Sequence, residues 1–393
     1  MKSKILCPLP FMHQYISSTG GVTPCCHVFD EPDPWPRLDF TKGIYTQAHK
    51  DVRRQLLSEV WPSVCSKCKI VEHNGGKSPR QMALERFGFP KTKHLTYLDI
   101  SFTNTCNLAC RMCKPSDSSL LEELYKDKEK LPTWIEPEWA PRESQVPDKK
   151  VAYVKKVIAD GLQVLKVTGG EPFACKYFMS IVDWAIENDH AKNLEINLTT
   201  NGTKINKVLI HKLLKFKKAK LLVSIDGTGK VYEYIRHNAS WDKVYNNLKQ
   251  LSEHPEIDVQ VACLMMFHNT TNVINLIYDC AKLNISVFVD EYIKPQNSEI
   301  TPYHVDEKIS KILIEQSEKI KQDFSNKEKT QVQYHALQGA KTLYNIATNT
   351  SIRGKARQRL LRTINLQDKL YKTNYQYYLQ PEQIEYLERI ANV

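Results

Sequence analysis

The chain is predicted to adopt an α/β fold built on a parallel sheet, because short apolar runs alternate with amphipathic, helix-like segments from about residue 95 to 293. Six strand-like runs favour a partial (β/α)6 TIM barrel over the complete eight-stranded form. They cover residues 97–102, 164–168, 194–200, 220–225, 259–266 and 285–293. The helix-like stretches cover residues 177–187, 204–217, 241–252 and 271–283.

A cysteine-rich segment, residues 1–92, precedes these strands. Its five thiols are Cys7, Cys25, Cys26, Cys65 and Cys68. The last two form a C-x2-C pair, and a Gly-Gly turn leads into Cys25. Four such thiolates suit a zinc ion or an iron–sulfur cluster equally well. Because Cys26 and His27 adjoin Cys25, the ligand at that turn stays open.

The first predicted strand leads into T-N-T-C-N-L-A-C-R-M-C, in which Cys106, Cys110 and Cys113 have C-x3-C-x2-C spacing. Three thiolates this close suit three corners of a [4Fe–4S] cluster and leave its fourth iron open to another ligand. Structural zinc sites normally complete four ligands, and no fourth Cys or His lies close downstream in the sequence. The spacing therefore favours an open cluster over zinc.

Polar or glycine-containing motifs end the next three predicted strands. In TIM-barrel enzymes the loops at the carboxyl ends of the strands form the active site. The motifs are Gly169-Gly170-Glu171-Pro172, Thr199-Thr200-Asn201-Gly202 and Ser224-Ile225-Asp226-Gly227, with Arg236 following the last. Residues 131–148 carry four prolines and two tryptophans, which exclude a continuous helix and indicate a surface loop or a lid.

Residues 298–393 are rich in Lys, Glu, Gln, Leu and Ile and are predicted to be mostly helical. Within them, residues 352–362 concentrate five basic side chains, which suit a solvated helix face or an anionic partner. The net charge of +11 is compatible with an acidic peptide or a nucleic acid and requires neither. No apolar run is long enough to predict a membrane span, and no secretory signal is apparent. With its clustered cysteines, the chain is predicted to be cytoplasmic.

The cysteine triad and the three later motifs, in this order, resemble those of the radical S-adenosylmethionine (SAM) superfamily over about residues 95–295. The resemblance implies a barrel of the radical SAM type over residues 93–297. It also implies an enzyme that reductively cleaves SAM to a 5′-deoxyadenosyl radical and abstracts hydrogen from a substrate. A [4Fe–4S] cluster, SAM and a low-potential electron donor of the flavodoxin or ferredoxin kind are expected with it.

The resemblance also assigns roles to single residues. Cys106, Cys110 and Cys113 would hold the catalytic cluster. Met112 departs from the aromatic residue common at its position, although a thioether can pack against an adenine ring. SAM would contact a further set of residues: Gly169, Gly170 and Glu171 at its methionine end, Thr200 and Asn201 near its ribose or adenine, and Ser224 and Arg236 at its carboxylate.

The N-terminal segment resembles the auxiliary-cluster modules called SPASM and Twitch, although those usually follow the barrel. The likeness implies that Cys7, Cys25, Cys65 and Cys68 bind an auxiliary [4Fe–4S] cluster, with zinc as the alternative. Because such clusters recur in peptide-modifying relatives, a peptide or protein substrate is favoured. An RNA- or small-molecule-modifying enzyme and a non-catalytic electron-transfer or sensor protein are the alternatives; a nucleic acid is not favoured.

Overall fold

Parallel strand pairing dominates the protein. The computed structural model describes residues 5–28, 40–90, 94–126, 147–290, 299–325, 330–349 and 354–392. Eight strands form one sheet in the order β10-β9-β7-β6-β5-β3-β1-β2, and β4 pairs with β8. The strands are β1 His13–Ile16, β2 Val22–Thr23, β3 Tyr97–Ile100, β4 Ala109–Cys110, β5 Val164–Val167, β6 Glu195–Thr200, β7 Lys218–Ser224, β8 Arg236–His237, β9 Ile257–Leu264 and β10 Ser286–Asp290.

All six strands predicted from the sequence are present, so the α/β prediction is confirmed, and a partial barrel is consistent with this sheet. Strand β1 was not predicted. It pairs in parallel with β3, in the register His13 opposite Tyr97, and pairs antiparallel with β2. All four of its residues are buried, so it carries no alternation of polar and apolar positions that would mark it as a strand.

Helices connect the strands and form the C-terminal region. They are α1 Leu9–Met12, α2 Gln47–Leu57, α3 Ser66–His73, α4 Pro79–Phe87, α5 Ser119–Leu124, α6 Pro147–Ala159, α7 Lys176–Glu187, α8 Lys207–Leu213, α9 Gly229–Ile235, α10 Trp241–Ser252, α11 Val273–Lys282, α12 Glu307–Asp323, α13 Gln331–Thr348, α14 Gly354–Tyr371 and α15 Pro381–Ala391. The last four confirm the helical prediction after residue 298. The boundaries 1–92, 93–297 and 298–393 stay predictions.

Contacts divide the chain into two compact units. The first comprises residues 1–104, 142–198 and 212–219. Leu98 and Ile100 lie on one face of β3 and are inaccessible, as expected from the two-residue period of a strand. On the other face Asp99, which is opposite Lys166 of β5, forms an ion pair with it at 2.8 Å.

The second unit comprises residues 105–141, 199–211 and 220–393. Helices α12 and α13 pack against each other, and α13 also packs on β10. Helix α13 begins with a capping box in which Thr330 and Gln333 satisfy each other's backbone N–H groups, as expected for a helix that starts outside a core. Apolar side chains such as Leu313, Leu343 and Leu387 form the interior of this helical part.

Two predictions from the sequence concern segments that the structure describes only in part. Most of the proline-rich segment 131–148 lies outside the described residues, and so does the start of the basic stretch 352–362. Among the described helices, none combines the length and the apolar character that a membrane crossing needs.

Candidate functional site

The cysteine triad lies in the second unit, in a loop whose backbone is held at several points. Strand β4 contains Cys110 and pairs with β8 so that Cys110 is opposite Arg236. The Cys113 amide donates to the Cys110 carbonyl at 3.0 Å. The Cys106 amide donates to the Ser119 hydroxyl at 3.2 Å, at the start of α5. The loop is therefore fixed beside all three cysteines.

The thiols of Cys106 and Cys113 both interact with that of Cys110. A hydrogen bond with the Cys113 thiol and burial raise the pKa of Cys110, and the Cys106 thiol adds to the rise, whereas Arg236 opposes it. Cys110 is buried, and Cys106 and Cys113 are partly exposed. Three cysteines on one short loop, two of them only partly buried, are the donor set that a three-thiolate iron–sulfur cluster needs.

Arg236 joins the triad to a buried carboxylate. Its Nη2 lies 2.7 Å from Asp226 Oδ2, and its Nη1 lies 3.7 Å from the Cys110 sulfur. Burial works to lower the pKa of Arg236, but Asp226 and Cys110 outweigh it, so the guanidinium stays charged. The other Asp226 oxygen accepts the backbone N–H of Leu264 at 2.8 Å. A buried cation with this partner can support one thiolate and orient one anionic ligand.

Asn201 also lies beside the triad. Its Nδ2 is 3.1 Å from Asn107 Oδ1 and 4.0 Å from the Cys106 sulfur. Thr200 is buried and its hydroxyl accepts the Gly202 N–H at 3.1 Å, which closes the turn after β6. Ser224 ends β7 and is half-buried. The second unit thus brings Asn201 and Arg236 to the triad, and the predicted SAM contacts of Thr200 and Ser224 stay predictions.

Arg111, between two cysteines of the triad, was not singled out from the sequence. Its guanidinium lies 3.6 Å from the centre of the Tyr234 ring and 4.7 Å from that of Tyr371. It donates to the Tyr234 carbonyl at 2.7 Å and to Asp368 at 3.0 Å. The sequence shows its position inside C-R-M-C, but it does not show that residues in and just after α14 contact its side chain.

The G-G-E-P motif lies in the first unit. Gly169 has φ +75°, and a Cβ there would lie 2.1 Å from the Ser101 hydroxyl, so only glycine fits. Glu171 is inaccessible and accepts the Phe173 N–H at 3.1 Å. The Ser101 hydroxyl is buried, and no partner for it is found among the described residues. This tight turn beside an unsatisfied hydroxyl fits a motif that closely approaches a ligand.

Lys150 closes the same edge of the first unit and has no sequence signal. The side chain is inaccessible, and its Nζ lies between 2.8 and 3.1 Å from four backbone carbonyl oxygens, of Ser17, Ser18, Ser101 and Phe102. Burial lowers the pKa of Lys150 to about 7. The carbonyls favour the charged form, so we expect an ammonium that ties the loop after β1 to the end of β3.

Four N-terminal thiols line one cavity of the first unit: Cys7, Cys25, Cys65 and Cys68. Burial raises the pKa of Cys7 and of Cys65 to about 12, and neighbouring thiols add to both rises. Backbone N–H groups of Leu9, His27 and Arg80 hydrogen-bond the sulfurs of Cys7, Cys25 and Cys68 respectively. Such N–H···S bonds are a common support for iron–sulfur thiolates.

Cys26 points elsewhere. Its thiol hydrogen-bonds Asp99, which is paired with Lys166, and it is absent from the lining of the four-thiol cavity. Cys25 is therefore the better placed of the two adjacent cysteines to act as a ligand.

Within the part of the chain that the structure describes, no three His, Cys, Asp or Glu side chains converge as they would around a single metal ion.

Comparison with known proteins identifies the central part of the chain. Residues 100–276, which contain the triad and the three later motifs, match the Radical SAM superfamily. This segment is a radical SAM domain. Membership implies a [4Fe–4S] cluster and SAM, for which the triad and the residues around it supply a fitting donor set. The predicted resemblance of this segment to the radical SAM superfamily is thus confirmed.

The curated relatives are distant and longer than the matched region. "Molybdenum cofactor biosynthesis protein 1" of Dictyostelium discoideum is 28% identical over 176 residues, which cover 44% of this chain and 25% of that protein. "GTP 3′,8-cyclase" of Aliarcobacter butzleri is 25% identical over 177 residues, which cover 44% of this chain and 46% of that protein. The chain thus spans less than half of either relative.

Solved structures with similarity to the chain include Streptococcus suis SuiB bound to the precursor peptide SuiA, with 15% identity and a TM-score of 0.39 over 89% of this chain and 64% of that one. Native anSMEcpe with bound AdoMet has 17% identity and a TM-score of 0.39 over 59% of this chain and 62% of that one.

Proposed function

We propose that this chain is a radical SAM enzyme that abstracts hydrogen from an organic substrate. The observation that carries the proposal is the gathering of Cys106, Cys110 and Cys113 on one anchored loop, with the Arg236 guanidinium 3.7 Å from the middle thiol. When bound, the cluster and SAM supply one-electron cleavage of the sulfonium and, through it, hydrogen abstraction.

The protein's own residues hold and orient these groups. Cys106, Cys110 and Cys113 would ligate three irons as thiolates. Arg236 would stabilise the Cys110 thiolate, and the rest of its donor fork would orient the SAM carboxylate. Asp226 keeps that guanidinium charged and in place, since its Oδ2 forms an ion pair with Nη2 at 2.7 Å. Gly169 and Gly170 would admit the methionine end of SAM, and Glu171, Thr200, Asn201 and Ser224 would line the remainder.

The four-thiol cavity would hold an auxiliary [4Fe–4S] cluster through Cys7, Cys25, Cys65 and Cys68. Support comes from the N–H···S bonds to three of the sulfurs and from the burial of the set. Zinc could use the same thiolates. Anaerobic reconstitution distinguishes the two: we expect about eight irons per chain, falling to about four in Cys65→Ala/Cys68→Ala, at four irons per cluster.

A peptide or protein is the first candidate substrate, because an auxiliary cluster of this kind recurs in peptide-modifying relatives. A nucleotide is the second candidate, since one relative of the domain is named GTP 3′,8-cyclase. The electron would come from a flavodoxin- or ferredoxin-like donor.

The activity is tested by incubating reconstituted, dithionite-reduced protein with SAM and measuring 5′-deoxyadenosine by chromatography. We expect product from the wild type and from Cys280→Ala, a buried cysteine outside both sets, and none from Cys110→Ala. A cluster-replete wild type that forms no 5′-deoxyadenosine would refute the proposal and favour a non-catalytic iron–sulfur protein.

Isotope transfer then identifies the substrate class. The abstracted hydrogen is recovered in 5′-deoxyadenosine, so a deuterated substrate makes that product heavier by one mass unit. One reaction receives a tryptic digest of uniformly deuterated protein, and the other receives deuterated GTP. Deuterium from the digest supports the peptide, deuterium from GTP supports the nucleotide, and deuterium from neither argues against both.

A further inference from the structure

Arg80 occupies a central position beside the four-thiol cavity. It lies in the first turn of α4, is 5% exposed and lines the cavity. Its backbone N–H hydrogen-bonds the Cys68 sulfur, and its Nη1 donates to the Leu6 carbonyl, next to Cys7, at 2.7 Å. One residue thus contacts both chain segments that carry these two thiols.

The guanidinium is held in place from two sides. Nε and Nη2 donate to the two oxygens of Glu72 at 2.8 and 2.6 Å, a bidentate pair. Trp61, another lining residue, has its ring centre 5.5 Å from the guanidinium carbon. Ser78 donates a further hydrogen bond to Glu72 at 2.5 Å. The charge of Arg80 is therefore fixed relative to the cavity.

The Arg80 cation acts on three of the four thiols. It lowers the pKa of Cys7, Cys65 and Cys68, in each case against the larger effect of burial, which raises it. Glu72 acts on Cys68 with the opposite sign. The cation and its half-buried carboxylate partner therefore both lie within electrostatic reach of the Cys68 sulfur.

We propose that Arg80 and Glu72 are positioning residues that set the reduction potential of the auxiliary cluster, an inference that rests on the auxiliary cluster proposed above. Reduction adds one negative charge to a cluster. A nearby cation stabilises the reduced form and an anion destabilises it, and low-dielectric surroundings strengthen both effects. The two residues should therefore shift the potential in opposite directions when each is neutralised.

The test uses full-length Cys106→Ala/Cys113→Ala protein, in which only the N-terminal site can bind iron. The auxiliary signal is titrated against potential and followed by electron paramagnetic resonance. We expect Arg80→Gln to shift the midpoint to more negative values and Glu72→Gln to shift it to more positive values. Arg80→Lys keeps the charge and should leave the midpoint nearer to that of the parent.

The ion pair between Arg54 and Asp51 of α2 provides matched controls, because it is much more exposed to water. Arg54→Gln and Asp51→Asn make the same changes of charge there. Neither should move the midpoint. Loss of structure would not produce shifts of opposite sign, and Glu72→Gln tests the inference even where Arg80→Gln loses iron.

The outcomes separate the two proposals. If the parent binds zinc or no metal and gives no auxiliary signal, the auxiliary cluster is refuted and the role of Arg80 with it. If iron binds with the expected stoichiometry but the two neutralising variants leave the midpoint unchanged or move it in the same direction, only the role of Arg80 and Glu72 is overturned.

Discussion

Arg111 forms an ion pair with Asp368 at 3.0 Å, across 257 residues of sequence. The arginine side chain is inaccessible, and the Tyr234 hydroxyl donates to the same carboxylate oxygen at 2.8 Å. Gln367 adds a hydrogen bond to the Arg111 carbonyl at 3.0 Å. Helix α14 is therefore part of the support of the cysteine triad.

Asp368→Asn should destabilise the protein and lower the iron content of the triad, because it leaves the Arg111 guanidinium buried without a charged partner. Breaking such a pair typically costs about 3–5 kcal/mol. Urea unfolding and iron analysis measure the two effects. Glu318→Gln, at an exposed position of α12 in the same unit, should change neither. Equal stability of Asp368→Asn and wild type would show that the pair does not support the loop.

Asp226→Asn should weaken SAM cleavage through Arg236, because the 2.7 Å ion pair that orients the guanidinium is lost. Residues that orient a metal ligand typically contribute about 10–100-fold in metal affinity or activity. We expect a loss of that order in the rate of 5′-deoxyadenosine formation. A comparable loss is expected in Arg236→Lys, which keeps the positive charge but not the paired N–H donors of the guanidinium. Unchanged rates in both variants would remove Arg236 from the site.

Gly169→Ala should destabilise the first unit through two effects, a positive φ and a Cβ 2.1 Å from the Ser101 hydroxyl. Gly161→Ala is the matched control, since its φ is +100° and nothing lies within 4 Å of the added Cβ. The positive φ alone costs about 1–2 kcal/mol, and the clash should add about 1–3 kcal/mol. Gly169→Ala/Ser101→Gly should recover the second part. Similar unfolding free energies for the two single variants would contradict the crowding at Gly169.

Stability should fall as the pH falls below about 6.5, in part because His268 is buried uncharged. Burial, with a smaller contribution from Arg111, lowers the pKa of His268 from 6.5 to about 3. Between these values the unfolded chain binds a proton that the folded chain does not, so acid favours unfolding, by up to about 1.4 kcal/mol per pH unit for this group.

His268→Leu should make the dependence of the unfolding free energy on pH shallower over that range. His211→Gln, at an exposed position, should leave the slope unchanged. The measurement is urea unfolding at several pH values between about 6.5 and 5. The same slope in His268→Leu and wild type would mean that the histidine is protonated in the folded protein.

Much of the fold and part of the site could be read from local patterns. The six strands were predictable because each is an apolar run, four of them followed by a motif, and the period of side-chain burial is a local property. The triad was predictable because its three cysteines lie within eight residues, from Cys106 to Cys113. Strand β1 escaped prediction because both its faces are buried.

By itself, the sequence determined which side chains can do chemistry: the thiols of two groups, the glycines of a tight turn, and the strands that carry them. Only the tertiary structure decided which partners those side chains meet. In the folded chain Cys25 lines the cavity, whereas Cys26 hydrogen-bonds Asp99. Asp226 forms an ion pair with Arg236, and Asp368 forms one with Arg111. The reason is physical: metal-ligand spacing is local along the chain, whereas the pairing of a buried charge depends on residues that folding alone brings within hydrogen-bond distance.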